Sequence, residues 1–205
     1  MPQDTAALVP DRGPEQASGE LRPRTVLLVI AAGVVFGAGD QYLGSMNVPL
    51  ATAFSLMSAP WLLLPFCFGC TQVRGHSGAV IGLVGTLAAL AGYWTMTLSP
   101  VEGVPLGQVP HGFVALVHSD ARLLVAGGIA GPVYGLLGQR WRTRRWWVSA
   151  VLSAGALLIE PVTRVLNLQS GPPMAYLLEL AAGALVAAYC MAAVSRSVRP
   201  ITPSI

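Results

Sequence analysis

The stretch Trp146–Leu168, WWVSAVLSAGALLIEPVTRVLNL, decides how this chain folds. It is long enough to cross a bilayer as a helix, which takes about 20 predominantly apolar residues. Its only charges are Glu160 and Arg164, and Pro161 lies between them. The pair stands four residues apart, on one helical face and within reach of each other. Pro161 has no N–H to offer the carbonyl of Leu157, which leaves an acceptor loose beside the acid. Ionisable groups within a membrane span are costly and mark either a paired contact or a functional site. An unpartnered carboxyl buried there favours its neutral form, whereas one paired to Arg164 stays ionised. The first suits proton coupling and the second suits a helix clasp or a zwitterionic solute.

The rest of the composition agrees. Of 205 residues 54% are hydrophobic and 10% charged, and the mean hydropathy is +0.62. Such a chain has more apolar surface than a soluble core can hide. All twelve cationic residues are arginine, and the net charge of +3 is no signature of nucleic-acid binding. Three cysteines, Cys67, Cys70 and Cys190, all lie in apolar segments and imply no disulfide framework. The polar, mixed-charge start is too long for the n-region of a cleaved signal, so the first apolar run reads as a retained span.

Six spans are expected, at about 25–43, 53–70, 78–98, 121–141, 146–168 and 174–194. Residues 1–23 read as a disordered tail rich in Pro, Gly and charge, and 196–205 as a second tail. Pro60 and Pro65 break span two and release the carbonyls of Leu56 and Trp61. Residues 99–119 form the longest connection, and the run Phe113–Val117 is too short to cross. Orientation follows from the arginines. With both termini cytoplasmic, ten fall inside (Arg12, Arg22, Arg24, Arg74, Arg140, Arg142, Arg144, Arg145, Arg196, Arg199) and two outside (Arg122, Arg164). The fold class is therefore all-α, a six-helix integral membrane bundle of the cell membrane.

Small residues say where helices meet. Gly127, Gly131 and Gly135 form a stripe on span four, which is expected at the centre, and Gly33 and Gly37 form a GxxxG on span one. The acids gather toward the outer side: Asp40, Asp120, Glu160 and Glu179. A polar vestibule would produce that distribution, and so would charges at helix ends reaching the headgroups. We place Asp40 and Asp120 nearer the second reading and rank Glu160 and Glu179 above them as pocket charges. The expected solute site is Glu160, Arg164, Glu179 and Asp40, with Trp61, Tyr93 and Trp94 as walls. No cofactor, metal site or catalytic constellation is expected. The Cys67-Phe68-Gly69-Cys70 spacing lacks a second pair, and His76, His111 and His118 fall on different sides of the membrane.

The segments Ser58-Ala59-Pro60-Trp61-Leu62-Leu63-Leu64, Ala91-Gly92-Tyr93-Trp94, Gly131-Pro132-Val133-Tyr134-Gly135-Leu136-Leu137-Gly138 and Glu160-Pro161 resemble an uncharacterised family of small multi-span membrane proteins of high-GC bacteria, a domain of unknown function. That resemblance implies no activity. The family more usually has Asn at Met57 or Ser58 and lacks these cysteines, which counts against redox chemistry. In architecture the chain also resembles the substrate-binding subunits of energy-coupling-factor vitamin transporters. This second likeness implies an outward-facing pocket and a partner subunit, although there the capping loop follows the first span and here the long outer loop follows the third. The expectation is a membrane protein that binds or transports a small polar solute. Its rival is a structural or assembly subunit whose partner is another membrane subunit or a second copy of the chain. No nucleotide-binding motif is present, so use of ATP would need another protein.

Overall fold

A computed structural model describes residues 21–46, 48–73, 75–105, 109–144, 147–166 and 173–197. Among them all regular structure is helical: α1 Pro23–Ser45, α2 Pro49–Ser55, α3 Ala59–Cys70, α4 Ser77–Thr97, a 3-10 turn Pro100–Glu102, α5 Val109–Ser119, α6 Ala121–Arg144, α7 Trp147–Leu166 and α8 Pro173–Ser197. Three of them, α1, α4 and α6, are long and apolar enough to cross a membrane, and α2 with α3 makes a fourth candidate bent by 55°. In α8 the apolar segment Tyr176–Tyr189 is shorter. Most of the first tail, residues 1–20, and the second, 198–205, lie outside the described residues.

Local chemistry explains where these helices start and stop. Pro23, Pro49 and Pro60 occupy the first turns of α1, α2 and α3, where a missing N–H costs nothing and the fixed φ suits a helix. The break between α2 and α3 falls at Leu56–Ser58, because Pro60 cannot donate to the Leu56 carbonyl. Pro65 and Pro132 are carried inside α3 and α6, each removing one backbone donor from its helix. The 3-10 turn ends at Gly103, whose φ of +80° few other residues adopt.

Helix α4 is the hub. It packs on α1, α3 and α6 and is buried on two faces. On the first, Gly33 and Gly37 of α1 lie against Gly85, Ala88 and Ala89 so closely that a Cβ on Gly37 would fall on the Ala89 carbonyl. On the second, Gly78 and Gly82 face Gly131 and Gly135 of α6 with the same intimacy. Gly69 of α3 meets Gly135, and Gly138 of α6 meets the Phe66 carbonyl. The glycine stripe expected to make α6 central thus serves mainly to bring it against α4, which holds the middle. The span-one GxxxG is likewise used inside the chain. Around this frame α7 pairs with α8, and α8 reaches α2 and α3. Phe66, Leu137 and Trp141 form a core cluster joined by Val186.

The two ends of the bundle differ in charge. At one end the α3 C-terminus meets the α6 C-terminus: Arg142 donates to the Cys70 carbonyl at 2.8 Å, and the Cys70 thiol to that of Gly138 at 3.3 Å. Here too Gln139 Oε1 accepts from the Gly78 N–H at 3.0 Å, satisfying an N-terminal donor of α4. The opposite end carries Asp40, Asp120 and Glu179, each engaged with another helix.

Substituting Gly37→Ala would place a methyl on the Ala89 backbone and should cost about 1–3 kcal/mol through overpacking. Gly39→Ala, which meets nothing within 4 Å, should be neutral or mildly stabilising. Thermal unfolding of the two variants in detergent checks the contrast.

Candidate functional site

The site grows from one carboxylate. Asp40, on the last turns of α1, is only 5% exposed. Its Oδ2 accepts the indole N–H of Trp61 at 3.1 Å, while Oδ1 is buried with no hydrogen-bond partner. Trp61 opens α3 directly after the break, so the bend in the chain aims its ring back at α1. Phe36, one turn before Asp40, meets that ring edge-on at 5.4 Å, and Tyr93 of α4 does so at 6.2 Å. A carboxylate taken from water without full hydrogen bonding costs several kcal/mol. One indole donor leaves Asp40 incomplete, and the remaining oxygen calls for a proton, a water or a cationic group.

Beside it lies a cavity of about 360 Å³, bounded by Asp40, the broken segment Ser55–Ser58 with Trp61 and Leu62, Thr86, Leu90 and Tyr93 of α4, and Leu123, Ala126, Gly127 and Ala130 of α6. Its size falls near the lower end of ligand pockets, which run about 300–1,000 Å³. The walls are mostly apolar, and among the described residues Asp40 is their one charged side chain. Ser55 and Thr86 donate their hydroxyl hydrogens to the carbonyls of Thr52 and Gly82. Oxygen lone pairs therefore remain on both.

The break that forms one wall is held from outside the cavity. Glu179 of α8, 1% exposed, accepts the Ser58 N–H at 3.0 Å. That carboxylate sits at the N-terminus of α3, where the helix dipole favours negative charge. Met57 and Ala59 pack there with Leu178 and Val186 of α8, so the bend is wedged as well as hydrogen-bonded.

These positions revise the expected site. Asp40, expected nearer the headgroups, is buried against Trp61 and lines the cavity. Glu179 lies behind Ser58 and braces the wall without lining the cavity. Trp61 and Tyr93 are walls, but Trp94 is not. Its ring is buried at 5% exposure, its N–H donates to Asp120 Oδ2 at 3.1 Å, and Phe113 of α5 meets it edge-on at 5.9 Å. With Ser119 donating to Asp120 Oδ1 at 3.3 Å, that group ties α4, α5 and α6 together. Gly127 both admits Thr86 and Leu90 to close contact and lines the cavity. Glu160 and Arg164 belong to α7, and their side chains lie outside the described residues. Cys67 is exposed while Cys70 contacts α6; Cys190 is outside the described side chains. Among the described residues no group of three or more His, Cys, Asp or Glu could hold a metal.

Phe36 and Thr86 escaped the sequence reading, yet a signal for each was present. Phe36 and Asp40 are spaced i, i+4 on α1, and Thr86, Leu90 and Tyr93 fall at i, i+4, i+7 on α4. Compared with known proteins, the chain matches no family model, no curated protein and no solved structure. The functional reading rests on the site's chemistry alone.

Trp61→Phe keeps a ring but removes the donor, stranding Asp40, and should destabilise by about 1–3 kcal/mol. Replacing both partners, as Trp61→Phe with Asp40→Leu, should recover much of that loss. A double-mutant cycle by thermal unfolding checks it, and additive losses would show that the pair is not coupled.

Proposed function

We propose that this protein binds or carries a small polar solute in the cavity beside Asp40, as a six-span protein of the cell membrane with both termini cytoplasmic. The observation that carries the reading is a buried, half-satisfied carboxylate beside a cavity at a broken helix. Broken helices survive at membrane depth where their backbone is buried in protein or lines a water-filled space. In transporters such discontinuities commonly build the solute site. The hinge at Leu56–Ser58 has this character, with Glu179 occupying the exposed helix end.

Topology is argued from length and charge. Helices α7 and α8, at 20 and 25 residues, extend roughly 30 and 37 Å at 1.5 Å per residue and serve as spans five and six. The ten-to-two division of arginines puts the Arg142 end in the cytoplasm and the Asp40 end outside. On that placement the cavity lies in the outer half of the bundle.

The rival role, a structural or assembly subunit, would use the glycine stripe of α6 as a partner surface. Gly131 and Gly135 are instead occupied by α4, which favours the solute reading. A larger transporter with an energy-supplying partner remains part of the proposal, in keeping with the architectural resemblance to energy-coupling-factor subunits.

Native mass spectrometry of the gently solubilised full chain tests this. A small adduct is expected on the wild type, lost in Asp40→Asn and kept in Asp120→Asn. A protein partner with no small adduct in any sample would overturn the solute role in favour of the assembly role. A C-terminal reporter active only in the cytoplasm should be active, and silence there would overturn the six-span topology.

A further inference from the structure

Building on the pocket reading above, we infer that the solute is a monovalent organic cation, an ammonium head on a small apolar or aromatic body. Among the described lining residues Asp40 is the one charged side chain, and its Oδ1 is buried without a hydrogen-bond partner. An N–H donor bearing positive charge at this carboxylate both supplies a missing hydrogen bond and neutralises the buried charge. A neutral donor would do only the first.

The surroundings point the same way. Helix C-termini carry partial negative charge, and α1 and α4 both end at this level, five residues after Asp40 and four after Tyr93. Helix N-termini, which would attract an anion, border the cavity at α3 and α6, but these two already have a carboxylate from the protein. Glu179 takes the Ser58 N–H at α3, and Asp120 stands immediately before α6. An anionic solute would therefore meet Asp40 with no described cation in the cavity lining to offset it. A divalent metal is disfavoured by the absence of a ligand cluster among the described residues. The rings of Trp61 and Tyr93 and the apolar walls from Leu90 and Leu123 suit a carbon body, and a ring face attracts a cation besides.

The test uses the full-length protein in detergent and isothermal titration with three probes of one shape: 2-phenylethylammonium, 2-phenylethanol and 3-phenylpropionate. The ammonium is expected to bind best. Asp40→Asn should weaken it about 10- to 100-fold, the range of a charge-assisted hydrogen bond, with little change for the alcohol. Ala126→Phe, at an exposed α6 position that borders the cavity, should block the ammonium while leaving the Asp40–Trp61 pair in place. If Asp40→Asn fails to fold, the wild-type ratio of ammonium to alcohol and the Ala126→Phe result still decide. Equal binding of alcohol and ammonium, both lost in Ala126→Phe, would overturn the cation assignment and leave the pocket standing. Preference for the carboxylate probe, or stabilisation by sodium ion alone with no response to the ammonium, would overturn it too. If none of the probes binds, the cation assignment fails, whereas the pocket reading is judged by the adduct seen in native mass spectrometry.

Discussion

Everything in this molecule depends on how closely α4 can approach its neighbours. Lipid tails are as apolar as leucine, so helices in a membrane gain little from hiding apolar side chains and must associate through contact itself. Here contact is made by removing side chains. Gly33 and Gly37 let α1 lie on the backbone of α4, and Gly131 and Gly135 let α6 lie on its other face. The register that results sets Asp40, Tyr93 and Leu123 at one height, with the bend between α2 and α3 closing the ring. The cavity is where the close packing stops: Gly127 is the last member of the α6 stripe, and above it Leu123 and Ala126 border open space instead of a helix.

Polar groups then secure what the glycines position. Gln139 completes the start of α4 from α6, Arg142 completes the end of α3, and Glu179 completes its beginning from α8. In each case an unsatisfied backbone group at a helix end is answered by a side chain from a different helix, a strong requirement where water is scarce. Asp120 does comparable work with Trp94. Asp40 departs from this pattern, since one of its oxygens is answered by Trp61 and the other is not.

The class of the protein was legible from apolar run length, and so were the break in span two and the small-residue stripes, because each is a local property of consecutive residues. The proline at position 60 announced the bend, and the spacing of Gly33 and Gly37 announced a close approach. What sequence could not supply was the partner. Nothing in span one says that its glycines meet α4, and nothing in α4's own stripe of Gly78, Gly82, Gly85 and Gly92 says that its first two members meet α6 while the last two lie against α1. The same limit hid the burial of Asp40. Asp40 looks like a helix-end charge when counted along the chain, yet α1 runs on past it to Ser45 and Trp61 covers it from 21 residues away. Trp94, adjacent to Tyr93, seemed to share its role until the helix turned it toward α5 and Asp120.

One of these long-range contacts has a consequence in time. The N–H of Ser58 is answered by a residue 121 positions later. At ordinary rates of synthesis, about 5–20 residues per second, roughly 6 to 24 s separate the emergence of donor and acceptor. During that interval α1, α3, α4 and α6 can assemble through partners already made, while the elbow between α2 and α3 has neither its hydrogen bond nor the apolar wedge of Leu178 and Val186. Helix α8, made after the other described helices, is therefore the one that finishes the cavity wall. A chain cut short before α8 would keep its glycine-packed frame and lack a finished wall.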